Sequence, residues 1–212
     1  IGENAFNNAA SLETVTLGEN AQIGKMAFYN NVSLKHIDLS RAASIGDYAF
    51  SGDVYYVCLD DSMTVAAVSR DGYYIYTYHA PALQSVTLNS AASIGEYAFA
   101  YCRQLTDVTL NDSITEIPQY AFAGCISLQN IDLSKIVTIG DYAFMESEAL
   151  AAVDLSAAES IGEYAFVNGK ALQRVKLSPN GTDMAEGVFA YCERLTDVEN
   201  LNCSKNVGDY SF

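Results

Sequence analysis

Basic residues are scarce in this chain. Eleven Lys and Arg stand against 26 Asp and Glu, and the formal net charge is −15. The basic residues are not clustered, so the neutralisation of phosphates that nucleic-acid binding requires is missing. An anionic membrane surface is disfavoured for the same reason. No apolar run approaches the roughly 18 residues that would cross a bilayer, so this segment is not expected to insert into a membrane. There is no C-x-x-C pair, and the two histidines, His36 and His79, lie far apart, which leaves zinc without a ligand set. Neither a G-x-S-x-G nucleophile motif nor a phosphate-binding glycine loop is present. Carboxylates are abundant enough to be paired on paper for glycoside chemistry, but a repeat accounts for most of them. The chain is therefore read as non-enzymatic, with no cofactor and no resident metal. It has no starting Met, signal peptide or polar capping repeat, and it reads as a fragment of a longer array.

What the chain has is a repeat. The stretch Ser44-Ile45-Gly46-Asp47-Tyr48-Ala49-Phe50 returns at residues 93–99, 138–144 and 160–166, and looser copies end at Phe6, Phe28, Phe122, Phe189 and Phe212. Successive Phe residues are 22, 22, 49, 23, 22, 22, 23 and 23 apart. A fixed period in the low twenties means a stacked-repeat protein. One continuous array needs no domain boundary, so residues 1–212 are read as a single solenoid.

Each unit has two parts. The first is L-x-x-V-x-L, as in Leu34-Ile37-Leu39, Leu105-Val108-Leu110 and Leu172-Val175-Leu177. Its alternation predicts a short strand with one face buried. Copies this far apart in sequence must pair in parallel, one strand per repeat, about 4.8 Å apart. The count is nine strands, including one at Val54-Val57-Leu59. The second part is the opening stretch. Ser44, Ser93, Thr138 and Ser160 precede Asp47, Glu96, Asp141 and Glu163 by three residues, the spacing of a capping box. Ile45, Ala49, Phe50 and the slot three residues after Phe fall on one face of a helix. The expectation is an α/β solenoid with a parallel strand and a short helical turn per 22–23 residues, curved and right-handed. Gly46 aligns with Pro118 and Ala185 in other copies, so it is expected to permit close packing rather than a left-handed backbone. Tyr48, Tyr97, Tyr120, Tyr142, Tyr164 and Tyr210 are expected to form an external ladder.

Cys102, Cys125 and Cys192 occupy the slot after Phe, where other copies carry Ala9, Asn31, Ser147 and Gly169. A slot shared by small residues reads as buried packing with free thiols. A Cys102–Cys125 disulfide would meet poor geometry, because in-register side chains point the same way. The 49-residue gap reads as two periods plus about five residues, with one helical stretch missing and residues 60–82 in its place. That Tyr-rich segment has two β-rich runs around Asp71-Gly72 and reads as a β-hairpin. It is either a degenerate repeat or a protruding aromatic platform suited to protein or sugar contacts.

Residues between the buried strand positions should line the opposite, concave face. Candidate ligand contacts there are His36, Asp38, Asp132, Asp154, Arg174 and Lys176, joined by Tyr55, Tyr56, Tyr73, Tyr74, Tyr76 and Tyr78 around the insertion. Asp132 and Asp154 are expected on adjacent rungs. A solvated acidic face is the first reading of them and a weak calcium site the second, since calcium wants six to eight oxygens.

The combination L-x-x-V-x-L followed by I-G-x-x-A-F-x-x-C resembles the leucine-rich repeats of BspA-like surface proteins over nearly the whole chain. The resemblance implies a leucine-rich-repeat fold and a secreted or cell-surface protein of host-associated bacteria or parasitic protists. It also implies adhesion to host matrix or plasma proteins, and the Tyr-rich segment adds a glycan as a candidate partner. The functional expectation is an extracellular recognition or adhesion module. A passive spacer displaying another domain, or an accessory region of a larger secreted enzyme, are the alternatives.

Overall fold

A computed structural model describes residues 1–52, 68–69, 73–74, 82–88 and 93–212, with backbone only for 68–69 and 73–74. Its strands in chain order are β1 (Ala21–Ile23), β2 (Ala42–Ile45), β3 (Val68–Ser69), β4 (Tyr73–Tyr74), β5 (Ser85–Leu88), β6 (Asp107–Leu110), β7 (Glu116–Ile117), β8 (Asn130–Ile131), β9 (Thr138–Ile139), β10 (Ala152–Leu155), β11 (Ser160–Ile161), β12 (Arg174–Leu177), β13 (Asp183–Met184), β14 (Asp197–Glu199) and β15 (Asn206–Val207). Among the described residues, all strand pairings are parallel except that of β3 with β4, which is antiparallel.

The L-x-x-V-x-L segments form one wall of the solenoid, in the orders β5-β6-β8 and β10-β12-β14. Register is in phase: Val86 pairs with Val108, Val108 with Ile131, and Val153 with Val175. The Ser-Ile segments form a second wall, β7-β9-β11-β13-β15, with Ile117, Ile139, Ile161, Met184 and Val207 in line. Between the walls lies the core of Leu, Val, Ile, Ala and Phe. The expected leucine-rich-repeat solenoid is present.

The expected helical turn is not. The only helix among the described residues is the 3-10 turn Leu201–Cys203. Ser160 and Ile161 are in a strand rather than at a helix N-terminus. In each rung the chain leaves this strand through successive β-turns, and the hydrogen bonds of those turns show why. The amides of Ala143, Met145 and Ser147 bond within the rung, to the carbonyls of Gly140, Tyr142 and Phe144. Those of Tyr142, Phe144 and Glu146 bond to Glu163, Ala165 and Val167 of the next rung at 2.8–2.9 Å. Alternate amides therefore point along the solenoid axis, where a helix would send them all to its own carbonyls. The alternation needs left-handed backbone twice per rung. Tyr142 has φ 56° and Glu146 φ 58°. The same two slots hold Tyr97 and Tyr101, Tyr164 and Asn168, and Asn4 and Asn8, all with φ of 52–61°. A non-glycine residue in that region costs roughly 1–2 kcal/mol, which the axial hydrogen bonds and ring stacking offset.

The Asp of the expected capping box has another role. Asp47 Oδ1 accepts the Glu96 amide at 3.1 Å, and Asp141 Oδ1 accepts the Glu163 amide at 2.8 Å. The carboxylate ties one rung to the next. Glycine in the I-G pair permits close approach, as expected, but between rungs: a Cβ on Gly140 would lie 2.5 Å from the Gln119 nitrogen, and one on Gly95 2.5 Å from that of Asp47.

The Phe side chains stack in one column from Phe6 to Phe212, with centroids 5.1–5.7 Å apart. The column corrects the reading of the long gap. Phe50 stacks directly on Phe99, Ile45 bridges to Ile94, and His36 bridges to Ser85. With rungs in contact at three points around the circumference, none stands between them, and the 49-residue spacing is one stacking step rather than two. Every other Phe before the terminal Phe212 is followed by its strand Leu after six residues, whereas Phe50 reaches Leu83 after 33. The strand expected at Val54-Val57-Leu59 falls outside the described residues.

Candidate functional site

The outward positions of the first wall make two rows that cross the rungs. One runs His36, Ser85, Asp107, Asn130, then Ala152, Arg174, Asp197. Each of these is exposed, because the alternation that buries Val108 and Val175 turns its neighbour outward. The second row contains Thr87 and Thr109 in register, then Asp154, Lys176 and Glu199. Asp38 and Asp132 stand at the equivalent position of their own rungs and are exposed.

The three aspartates of this face share one geometry. Asp38, Asp132 and Asp154 each accept the amide of the Ser two residues on, at 2.9–3.0 Å. That bond ends the strand and fixes the carboxylate. Hydrogen bonds from Ser40 hold the Asp38 carboxyl below its ordinary value, and bonds from Ser134 do so for Asp132. At Asp154 partial burial pushes the carboxyl upward, but bonds from Ser156 and Lys176 outweigh it and the net shift is downward. Lys176 Nζ lies 2.9 Å from Asp154 Oδ2, so both Asp154 oxygens are engaged. Lys176 thus supplies the counter-charge that a cation between Asp132 and Asp154 would have supplied. Asp107 is held by Thr106 and by Asn130 Nδ2 at 2.7 Å, which lower its carboxyl pKa. Among the described residues, no three His, Cys, Asp or Glu side chains are grouped to hold a metal ion.

Of the sequence candidates, His36, Asp38, Asp132, Asp154, Arg174 and Lys176 stand on this wall, spread along its rungs, and of these Asp154 and Lys176 are in contact. Tyr73 and Tyr74 form β4, paired with β3 as Ser69 with Tyr73 and Val68 with Tyr74. Tyr55, Tyr56, Tyr76 and Tyr78 lie outside the described residues. Sequence reasoning did not place Ser85 beside His36, because it put a rung between them. The constant six-residue step from Phe to Leu was the signal available.

The slot after Phe is a hydrogen-bonding position as well as a packing one. Cys102, Cys125 and Cys192 are free thiols that donate to the carbonyls of Phe50, Phe99 and Phe166 at 3.2 Å, and Asn31 Nδ2 donates to Phe6 at 2.8 Å. Burial raises all three thiols, Cys192 to about 11, so they stay protonated and unreactive. No helix of the described residues is long and apolar enough to cross a membrane.

Known proteins share this repeat. The chain is similar to the crystal structure of a T. pallidum leucine-rich-repeat protein, with TM-score 0.61 and 24% identity, covering 92% of this chain and 75% of that one. It is also similar to that of a leucine-rich cell surface protein from Faecalibacterium prausnitzii, with TM-score 0.51 and 20% identity, covering 98% of this chain and 66% of that one. At such identities the likeness concerns the fold. No curated protein matches the chain in sequence. The family model for the BspA type leucine rich repeat region matches residues 1–64 and 72–196 in six copies, and the chain belongs to that family.

Proposed function

We propose that this chain is a recognition module of a cell-surface or extracellular protein, and that it binds a host protein or glycan through the first wall. One observation carries the reading. The Phe column and the buried strand positions repeat one kind of side chain from rung to rung, whereas the exposed row His36, Ser85, Asp107, Asn130, Ala152, Arg174, Asp197 changes chemistry at each rung. A scaffold has no use for that variety, and a surface that selects a partner needs it. The likeness to a leucine-rich cell surface protein supports the location. The reading is binding rather than catalysis.

The test is to probe immobilised matrix proteins, plasma proteins and glycans with the folded chain, then repeat with Asp107→Ala, Asp132→Ala and Arg174→Ala together. Binding that the triple variant loses, with unchanged thermal unfolding, supports the proposal. Binding that survives it assigns recognition to another face. Removal of residues 61–79 tests in the same assay whether the Tyr-rich insertion contributes. A chain that binds nothing on such arrays is a spacer.

A further inference from the structure

Five tyrosines occupy one left-handed slot on successive rungs. The rings of Tyr48, Tyr97, Tyr120, Tyr142 and Tyr164 are stacked, with consecutive centroids 4.5, 4.5, 4.8 and 5.5 Å apart and planes within 15° of parallel. They are half-buried, so the column is open to solvent along one side. Its ends are closed. Lys25 Nζ lies 6.0 Å from the centre of the Tyr48 ring, and Gly187 sits against the Tyr164 ring, where a Cβ would be 2.3 Å from Cε1. The ring faces are thus used up within the stack, which makes the column a poor platform for stacking a ligand. The Tyr164 hydroxyl donates to the Glu186 carboxylate.

We propose that this column is an oxidative cross-linking site, at which a haem peroxidase with hydrogen peroxide joins tyrosines of adjacent rungs as dityrosine. Each phenol gives up one electron and one proton. Two neighbouring tyrosyl radicals form a carbon–carbon bond between ortho positions, and each ortho hydrogen then moves to its own oxygen as the ring regains aromaticity. Peroxide takes up the two electrons and two protons and leaves as two waters. Coupling needs two radicals side by side, and the backbone supplies that arrangement on every rung from Tyr48 to Tyr164. Glu186 is placed to accept the first proton from Tyr164, so oxidation starts there and passes along the stacked rings. Tyr210, expected in the ladder, lies beyond the rung of Gly187, and Tyr191 and Tyr210 are 72% and 77% exposed outside the column.

Trypsin makes the site readable. Cleavage after Arg103, Lys135 and Lys170 leaves Tyr120 as the only tyrosine of residues 104–135, and Tyr142 and Tyr164 on residues 136–170. After oxidation of the dilute folded chain, the expected product is a monomer in which these two peptides are joined with the loss of two hydrogens. Tyr120→Phe, which keeps the ring in the stack, abolishes that product while the circular dichroism is unchanged. The proposal is overturned if dityrosine appears only in covalent dimers. It is overturned equally if urea-unfolded chain gives the joined peptides in the same yield, or if no dityrosine fluorescence develops.

Discussion

The turn corner and the strand face of this solenoid are built from the same repeat, yet they tolerate change differently. At the corner Phe stacks on Phe along the whole array and Tyr on Tyr from Tyr48 to Tyr164, so one rung's choice constrains the next. On the strand face the backbone carries the ladder with a few local side-chain ties, such as Asn130 to Asp107 and Lys176 to Asp154, and the outward side chains vary from His36 to Asp197. Repetition is therefore a signature of load, and variation a signature of surface. On the proposed reading, the varied face is where a ligand would be selected.

The contrast breaks most sharply at the Phe column. Phe122 is fully buried between Phe99 and Phe144. Phe122→Ala is expected to cost about 3–5 kcal/mol, read as a large drop in thermal midpoint, whereas Asp107→Ala on the face leaves the midpoint nearly unchanged. Next in size is Gly140→Ala. Its methyl meets Gln119 backbone at 2.5 Å, and the expected loss is about 1–3 kcal/mol; a midpoint equal to that of the parent chain would refute the close-approach role. Asp141→Ala removes the acceptor of the Glu163 amide and should cost about 1 kcal/mol by denaturant titration.

Ionisation separates the two regions more finely. Burial, then the neighbouring phenols of Tyr48 and Tyr120, push Tyr97 up to about 12 from an ordinary 10.0. The folded value is the higher one, so the column's contribution is intact below pH 10 and is lost as pH rises through about 12. Ultraviolet titration should show the Tyr97 phenol ionising only as the pH approaches about 12. On the strand face the sign reverses. Asp132 is held below its ordinary 3.8, so its contribution is present above that pH and fades as pH falls through the lowered value. The smallest effect is at Lys176. Its pair with Asp154 is half-exposed, and Lys176→Ala should lower the thermal midpoint only slightly, less in high salt.

Much of this was legible in the sequence. Spacing alone gives the solenoid, the parallel strands and the outward row, because alternation around Val108 or Val175 admits only one buried face. The helical turn was misread because Ser160 and Glu163 fit a capping box by spacing, and spacing is blind to the sign of φ. The corrective signal was the company Tyr keeps at its slot. Asn4 and Gly187 stand where other rungs have Tyr, and Asn and Gly are the residues that enter the left-handed region most readily. The direct contact between the rungs of His36 and Ser85 was hidden because 49 lies close to two periods. The site itself is less legible, since variation says where to look and not what binds.

The closure of Phe50 on Phe99 has a consequence for how such chains change. The rungs meet whatever the chain does between them, and doubling the length of a connection costs in general only about 0.6 kcal/mol. That joint behaves as a socket, an address at which material can be gained, swapped or lost in one step while the rack around it keeps its shape. Excising residues 54–80 restores the six-residue step from Phe50 to Leu83, and the shortened chain should unfold at the same temperature as its parent.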